Sequence, residues 1–400
     1  MMRAVFTPSA AKGTMAAPPS KSMAHRLLIA AGLSEGRSVV HGLEYSEDIL
    51  ASMDCLRALG ATLERNGSTV TITGNGRPIP RETLLCRESG STLRFFLPLC
   101  LIDGKKARLE GSEKLFSRPL SVYEELCKDQ GILLRTEKGA AEMEGQLHGG
   151  DIAVSGAVSS QFITGLLFTL PLLREDSTLR LLPPVESRPY IDMTVEALET
   201  FGIRLTRTDE NTFVIPGGQH YAAAEVTVEG DYSNAAFFEA LGVPLTGLKA
   251  DSLQGDKVYR EHFAALKKGF CSIDLSDCPD LGPVEMAFAA MHHGARFIGT
   301  RRLAIKESDR GRAMGEELHK CGITVELDEN ELTVCPGTPH APSEPVSGHN
   351  DHRIVMAMST LLTTTGGTIY GAQAVRKSLP DYFERLKALG IEVTTDEMDL

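Results

Sequence analysis

One phrase recurs six times along the chain and limits what it can fold into: an amphipathic helical stretch that stops at glycine and runs into β-branched, strand-like sequence. The copies read CLRALGATLE, LCKDQGILLR, LETFGIRLT, LKKGFCSIDL, LHKCGITVE and LKALGIEVT, with their stops at Gly60, Gly131, Gly202, Gly269, Gly322 and Gly390. Glycine ends helices because it enters the left-handed region without a steric penalty, and Ile, Val and Thr after it favour extended chain. The copies cluster near one sixth of the chain apart, which predicts six related α/β units. Several of them continue as a hairpin, for example ATLERNGSTVTITG, with Asn66-Gly67 as the two-residue turn. Four hundred residues are too many for one ordinary core, so six units in two groups of three give two similar domains. A solenoid is the other arrangement repeats allow, and the long non-repeated insertions weaken it.

Bulk charge narrows the partners. The net charge of −12 argues against nucleic acid, whose binders usually carry a basic surplus. Eight cysteines occur with no C-x-x-C pair, which suggests neither a zinc site nor a disulfide framework but free thiols in a reducing compartment. The longest apolar stretches, Phe162–Leu173 and Phe95–Ile102, are broken by proline and fall short of the roughly 18 residues a membrane span needs. No secretory signal is legible at the N-terminus. The expectation is a cytoplasmic protein without a membrane partner.

In so acidic a chain, basic residues at helix starts call for a reason. AAPPSKSMAHRLLIAAG puts Lys21, Ser22 and Arg26 in the first turns of a helix, where the macrodipole already presents partial positive charge. A P-loop is excluded, because Ser20 stands where its second glycine must be. A solvated basic helix start and a site converging on one anion both remain open here. RESGSTLRFFLPL offers Ser89, Gly90, Ser91 and Thr92, and GAVSSQFITGLL offers Ser159, Ser160 and Gln161, as helix caps or as ligands for hydroxyl and phosphate oxygens. An S-R-P phrase recurs before two helices, at Arg118 and at Ser187-Arg188, the second followed by Tyr190. Farther on, CPDLGP carries Asp280, and AIKESDRGRAM packs Lys306, Glu307, Asp309 and Arg310, with Lys306 and Arg310 expected on one helix face at i, i+4. NDHRIVMAMS sets Asp351, His352 and Arg353 at a helix start, and VRKSLPDYFERL adds Lys377. A solvated charge run accounts for any one of these, but poorly for so many at helix beginnings.

Taken in order, SKSMAHR, ESGSTLR, SRPL, SSQF, SRPYID, KESDR, NDHR and KSLPDYFERL resemble the enolpyruvyl transferase family, from about residue 12 to about residue 388. The resemblance implies a two-domain inside-out α/β barrel with three βαβαββ units per domain. Residues 1–13 plus 230–400 would form one domain and residues 14–229 the other, with crossings near 12–14 and 228–232 and ligands in a cleft facing helix N-termini. It implies transfer of the enolpyruvyl group of phosphoenolpyruvate to the 5-hydroxyl of shikimate 3-phosphate, through a tetrahedral intermediate, by a monomer that needs no cofactor or metal.

By the family's pattern Lys21 touches both substrates. Ser22, Arg26, Ser159, Ser160, Gln161 and Ser187 hold shikimate 3-phosphate, Tyr190 packs on its ring, and Asp280 and Lys306 meet its hydroxyls. Gly90, Arg118, Gln161, Arg310, Arg353 and Lys377 match the phosphoenolpyruvate positions. Asp280 suits the attacking hydroxyl, and either Glu307 or Lys377 suits proton traffic at the methylene carbon. Glu88, Ser91, Ala157 and Ala304 replace commoner residues of the family's motifs, outside the charged set. A sister transferase acting on UDP-N-acetylglucosamine usually has a cysteine in the loop that here reads EGSEKLFSRPL. A silent anion-binding scaffold would be expected to have lost Asp280, Glu307 or Lys377.

Overall fold

The computed structural model describes residues 1–398. Two compact units divide the chain: Met1–Pro18 with everything from Gly230 onward, and Pro19–Glu229. Residues 14–18 sit in the first unit because Met15–Ala16 pairs with Leu245–Thr246 and the Ala17 amide donates to Thr246. Each unit has its own core, one around Phe95, Phe96, Phe162 and Phe168, the other around Phe237, Met286, Phe297 and Met356.

The Pro19–Glu229 unit builds three sheets on one plan. Gly150–Ser155 lies parallel to Ser177–Leu182, which is antiparallel to Thr212–Ile215, itself antiparallel to Thr206–Asp209. Leu84–Arg87, Ala107–Gly111, Ala140–Glu144 and Leu133–Glu137 repeat that order. In the third sheet the returning chain supplies the first place, as Tyr221–Ala222 and Glu225–Thr227 lie parallel to Ser34–His41. The other unit repeats the plan with Cys271–Asp274, Ala295–Ile298, Glu331–Val334 and Val325–Leu327. It does so again with Val346–Ser347, Gly367–Tyr370, Met2–Phe6 and Val393–Glu397, so that the N-terminal strand completes the last repeat. Parallel neighbours close in sequence are joined by a crossover, usually a helix. Those crossovers, such as Gly90–Leu99, Ser160–Thr169 and Gly282–Ala290, are buried on nearly every face and leave only their ends to carry function.

Five of the six expected helix stops are left-handed: Gly60, Gly131, Gly202, Gly322 and Gly390 have φ between 68° and 101°. Gly269 does not belong with them. Its backbone is extended (φ 161°), and it feeds Cys271–Asp274, the first strand of a repeat rather than a hairpin strand. The sixth stop is Gly242 (φ 78°), after helix Tyr232–Ala240. It was hidden because the strand that follows, Leu245–Thr246, has only two residues. The hairpin turn also shifts by one: Asn66 pairs with Thr69, leaving Gly67-Ser68 as the loop with Gly67 at φ 58°.

Candidate active site

In the Pro19–Glu229 unit the functional side chains gather at helix starts. Ser20 caps helix Lys21–Leu33 by accepting from the Met23 amide, and Lys21, its first residue, places Nζ 2.7 Å from Oδ2 of Asp48 in the first turn of helix Glu47–Ala58. Arg26 is 2% exposed. Its guanidinium donates to the carbonyls of Ser22 (2.6 Å) and Tyr190 (2.8 Å) and to Thr194 Oγ1 (2.9 Å), tying helix Lys21–Leu33 to helix Arg188–Thr200. Burial pushes it down to about 10, against the opposing pull of Tyr190. Gly90 opens helix Gly90–Leu99 under the Ser89 cap, and Arg118 lies so close that a Cβ on Gly90 would meet Nη1 at 2.5 Å. Gln161 donates to Ser91 Oγ at 2.9 Å and accepts from Arg94 at 2.7 Å, which fixes its amide orientation. Ser159 caps the helix that Ser160 opens. Ser187 is buried in the left-handed region (φ 56°) just before helix Arg188–Thr200, which carries Tyr190. Arg188 bonds to Glu210 and Asn211 of the neighbouring hairpin.

The other unit holds a denser cluster. Arg310, 1% exposed, opens helix Arg310–Lys320 and reaches Asp280 Oδ1 (2.8 Å), Glu307 Oε2 (2.6 Å) and Asp351 Oδ2 (2.9 Å). Lys306 lies 3.3 Å from Asp280 Oδ1, and Arg353 lies 3.3 Å from Oδ2. Asp351 caps helix His352–Thr365 by accepting from the Arg353 amide. Lys377 ends a short 3₁₀ turn and donates to the Asn350 carbonyl at 2.7 Å. Burial alone would raise the Asp280 carboxyl, but Arg353, Lys306 and Arg310 hold it well below the usual carboxylate range. Burial lowers the Lys306 ammonium in spite of Asp280.

Lys306 and Arg310 do not share a helix face. Lys306 is extended, Asp309 caps the helix, and Arg310 is its first residue. The two cations meet over the same oxygen of Asp280 instead.

Four residues that sequence reasoning left out of the site belong to these clusters. Asp351 and Asp48 pair with Arg310 and Lys21 across 41 and 27 residues of chain, a separation with no local signature. Arg94, 2% exposed, also donates to the Pro119 carbonyl next to Arg118, and its signal was a lone arginine inside the apolar run TLRFFLPL. Asp256 is buried in a 3₁₀ turn. Burial and Asp280 push it up to about 7, while Ser233 and Arg353 draw it down.

A family model described as EPSP synthase (3-phosphoshikimate 1-carboxyvinyltransferase) matches residues 5–386. The 3-phosphoshikimate 1-carboxyvinyltransferase of Clostridium kluyveri is 37% identical, with 97% of each chain covered. That of Clostridium perfringens is 37% identical over 98% of this chain and 99% of the relative. The solved EPSP synthase of Acinetobacter baumannii superposes with a TM-score of 0.79 at 22% identity, over 99% of this chain and 100% of that one, a likeness of fold. With nearly its whole length matched at that identity, the chain belongs to the EPSP synthase (3-phosphoshikimate 1-carboxyvinyltransferase) family.

Proposed function

We propose that this chain transfers the carboxyvinyl group of phosphoenolpyruvate to the 5-hydroxyl of shikimate 3-phosphate and releases phosphate. One observation carries the reading beyond family membership: a single carboxylate, Asp280, sits within 3.3 Å of three cations, Lys306 and Arg310 on one stretch of chain and Arg353 on another. Such a cluster suits a reaction whose substrates are both anions and whose attacking hydroxyl must lose a proton. Shikimate 3-phosphate is assigned to Ser22, Arg26, Ser159, Ser160, Gln161, Ser187 and Tyr190, with Asp280 and Lys306 on its hydroxyls. Phosphoenolpyruvate is assigned to Gly90, Arg118, Gln161, Arg310, Arg353 and Lys377, and Lys21 serves both.

With its three cations in place, Asp280 is ionised but weakly basic. An incoming phosphate and carboxylate compete for Arg310 and Arg353, and each donor they draw away returns basicity to Asp280. The acceptor oxygen then bonds to C2 of phosphoenolpyruvate as Asp280 takes its proton and the methylene carbon gains one. Loss of a proton from the new methyl group expels phosphate and restores the double bond. The Lys377 ammonium has the proton to give, and Glu307, a carboxylate on Arg310, has the oxygen to take it back. Groups of this kind are worth about 10²–10⁴ in rate, and orienting two substrates can supply roughly 7–11 kcal/mol more.

The test is phosphate release from phosphoenolpyruvate with each acceptor in turn. Release with shikimate 3-phosphate alone is expected. Release only with UDP-N-acetylglucosamine would move the chain to the sister activity, and release with neither would overturn the enzyme reading.

A further inference from the structure

The segment that delivers Asp351 and the carbonyl facing Lys377 has an unusual backbone. His349 (φ 48°) and Asn350 (φ 52°) are consecutive non-glycine residues in the left-handed region, where L side chains crowd the chain. Such conformations persist only where surrounding contacts over-determine them, and they concentrate at functional sites. Here the contacts converge on one buried carboxylate. Glu317, on helix Arg310–Lys320, is 1% exposed. Its Oε2 accepts from the Ser347 amide at 3.0 Å, and its Oε1 lies 2.7 Å from Nε2 of His349. Lys320 supplies the countercharge at 2.9 Å. The Ser347 hydroxyl accepts from the His349 amide, and the Asp351 amide donates back to Gly348.

Both ends of this arrangement touch residues assigned to the reaction. Glu317 lies seven residues along the helix that Arg310 opens, and the turn it grips places the Asn350 carbonyl on Lys377 and the Asp351 carboxylate on Arg310. Glu316, Glu317 and His349 also bring three potential metal-ligand atoms within 4.8 Å of one another. The Lys320 ammonium and the Ser347 amide already engage Glu317, so the cluster acts as a tether.

We infer that Glu317 is a positioning residue: through His349 and Ser347 it holds the left-handed turn 349–350, and thereby sets Lys377 and Arg310 for phosphoenolpyruvate. The inference rests on the proposed assignment of those two residues to that substrate. Three variants test it by kcat and KM for each substrate, together with thermal melting. Glu317→Gln keeps a side-chain oxygen and an amide that can meet Ser347 and His349, and should stay within about tenfold of wild type in kcat/KM for phosphoenolpyruvate. Glu317→Ala releases the turn, and a misplacement of about 1 Å costs on the order of a hundredfold. His349→Asn separates tether from scaffold. Asparagine, like histidine, tolerates the left-handed region, so the variant keeps the turn but loses the bond to Glu317 and should lose about tenfold in kcat/KM. A His349→Asn enzyme with wild-type kinetics, or losses in Glu317→Gln as large as in Glu317→Ala, would overturn the inference. A wild-type chain that releases no phosphate with shikimate 3-phosphate would instead overturn the functional reading on which it rests.

Discussion

A Cβ added to Gly90 would lie 2.5 Å from Nη1 of Arg118 and 2.9 Å from its guanidinium carbon, so alanine there must push the arginine off the turn. A charge-assisted hydrogen bond is worth roughly 1.5–3 kcal/mol, and about 1.4 kcal/mol is a tenfold change in affinity. Gly90→Ala should therefore raise KM for phosphoenolpyruvate about tenfold or more and leave KM for shikimate 3-phosphate within about twofold; equal rises in both would contradict the assignment of Arg118. Asp280 offers a second test. Its folded-state pKa is depressed, so its stabilisation is complete above the unfolded value near 3.9 and is lost as pH falls through the folded one. In Asp280→Asn, kcat should fall by about 10² or more, and melting at pH 7 should drop because Arg310, Lys306 and Arg353 lose their shared counterion. That melting deficit should shrink as pH falls below about 4, where Asp280 of the unfolded wild-type chain takes up a proton while the folded carboxylate stays charged. A deficit independent of pH would show that packing, not charge, holds the cluster.

At the scale of elements, three helices of the Pro19–Glu229 unit are joined by a buried chain of hydroxyls. His25 Nδ1 lies 2.8 Å from Ser52 Oγ, which lies 2.9 Å from Thr92 Oγ1, which donates to Ser89 Oγ at 2.8 Å. The chain links the helix bearing Lys21 to the helix that Gly90 opens. Burial, then Lys21 and Arg26, hold His25 well below its ordinary value, so it is neutral in the fold. The sign follows: its contribution is present above the unfolded value near 6.5 and is lost as pH falls below it. Wild-type stability should decline between pH 6.5 and 5 by up to about 1.4 kcal/mol per pH unit more than that of His25→Gln, as chemical denaturation at each pH would show. Parallel curves would mean that His25 does not titrate on unfolding. None of this chain was legible beforehand, since a histidine in an apolar helix carries no mark of its partner 27 residues away. What could be read was local. Left-handed stops such as Gly322 need only glycine and the β-branched residues after it, whereas Gly269 is followed by Phe270-Cys271-Ser272 and has a different place in its sheet. The charged residues were found because they stand at helix starts, but Lys306 was put on a helix that the Asp309 cap begins only later. Pairings such as Arg310 with Asp351 depend on sheet order, which no short window of sequence contains.

On the scale of the molecule, the chain forms two units with separate cores and passes from one to the other twice, after Pro18 and at Gly230. Ser22, Arg26, Ser159, Ser160, Gln161, Ser187 and Tyr190, assigned to shikimate 3-phosphate, all lie in Pro19–Glu229, while Arg310, Arg353 and Lys377 lie in the other unit. A ligand at a hundred times its dissociation constant stabilises the species it binds by about 2.7 kcal/mol, which slows exchange through the corresponding opening about a hundredfold. Shikimate 3-phosphate alone should therefore slow amide exchange chiefly in segments 20–26, 159–167 and 187–194. Asp280 and Lys306 add only hydroxyl contacts, and Asp280 already has three cations for partners, so segments 307–314 and 350–357 should change little. Addition of phosphoenolpyruvate under conditions that block turnover should then extend protection to those two segments and to residues near Lys377. Exchange followed by mass spectrometry resolves the two stages. Uniform slowing of both units by shikimate 3-phosphate alone would refute the division of labour, because a ligand held mainly by one core stabilises that core against opening and leaves the other core's openings nearly as frequent as before.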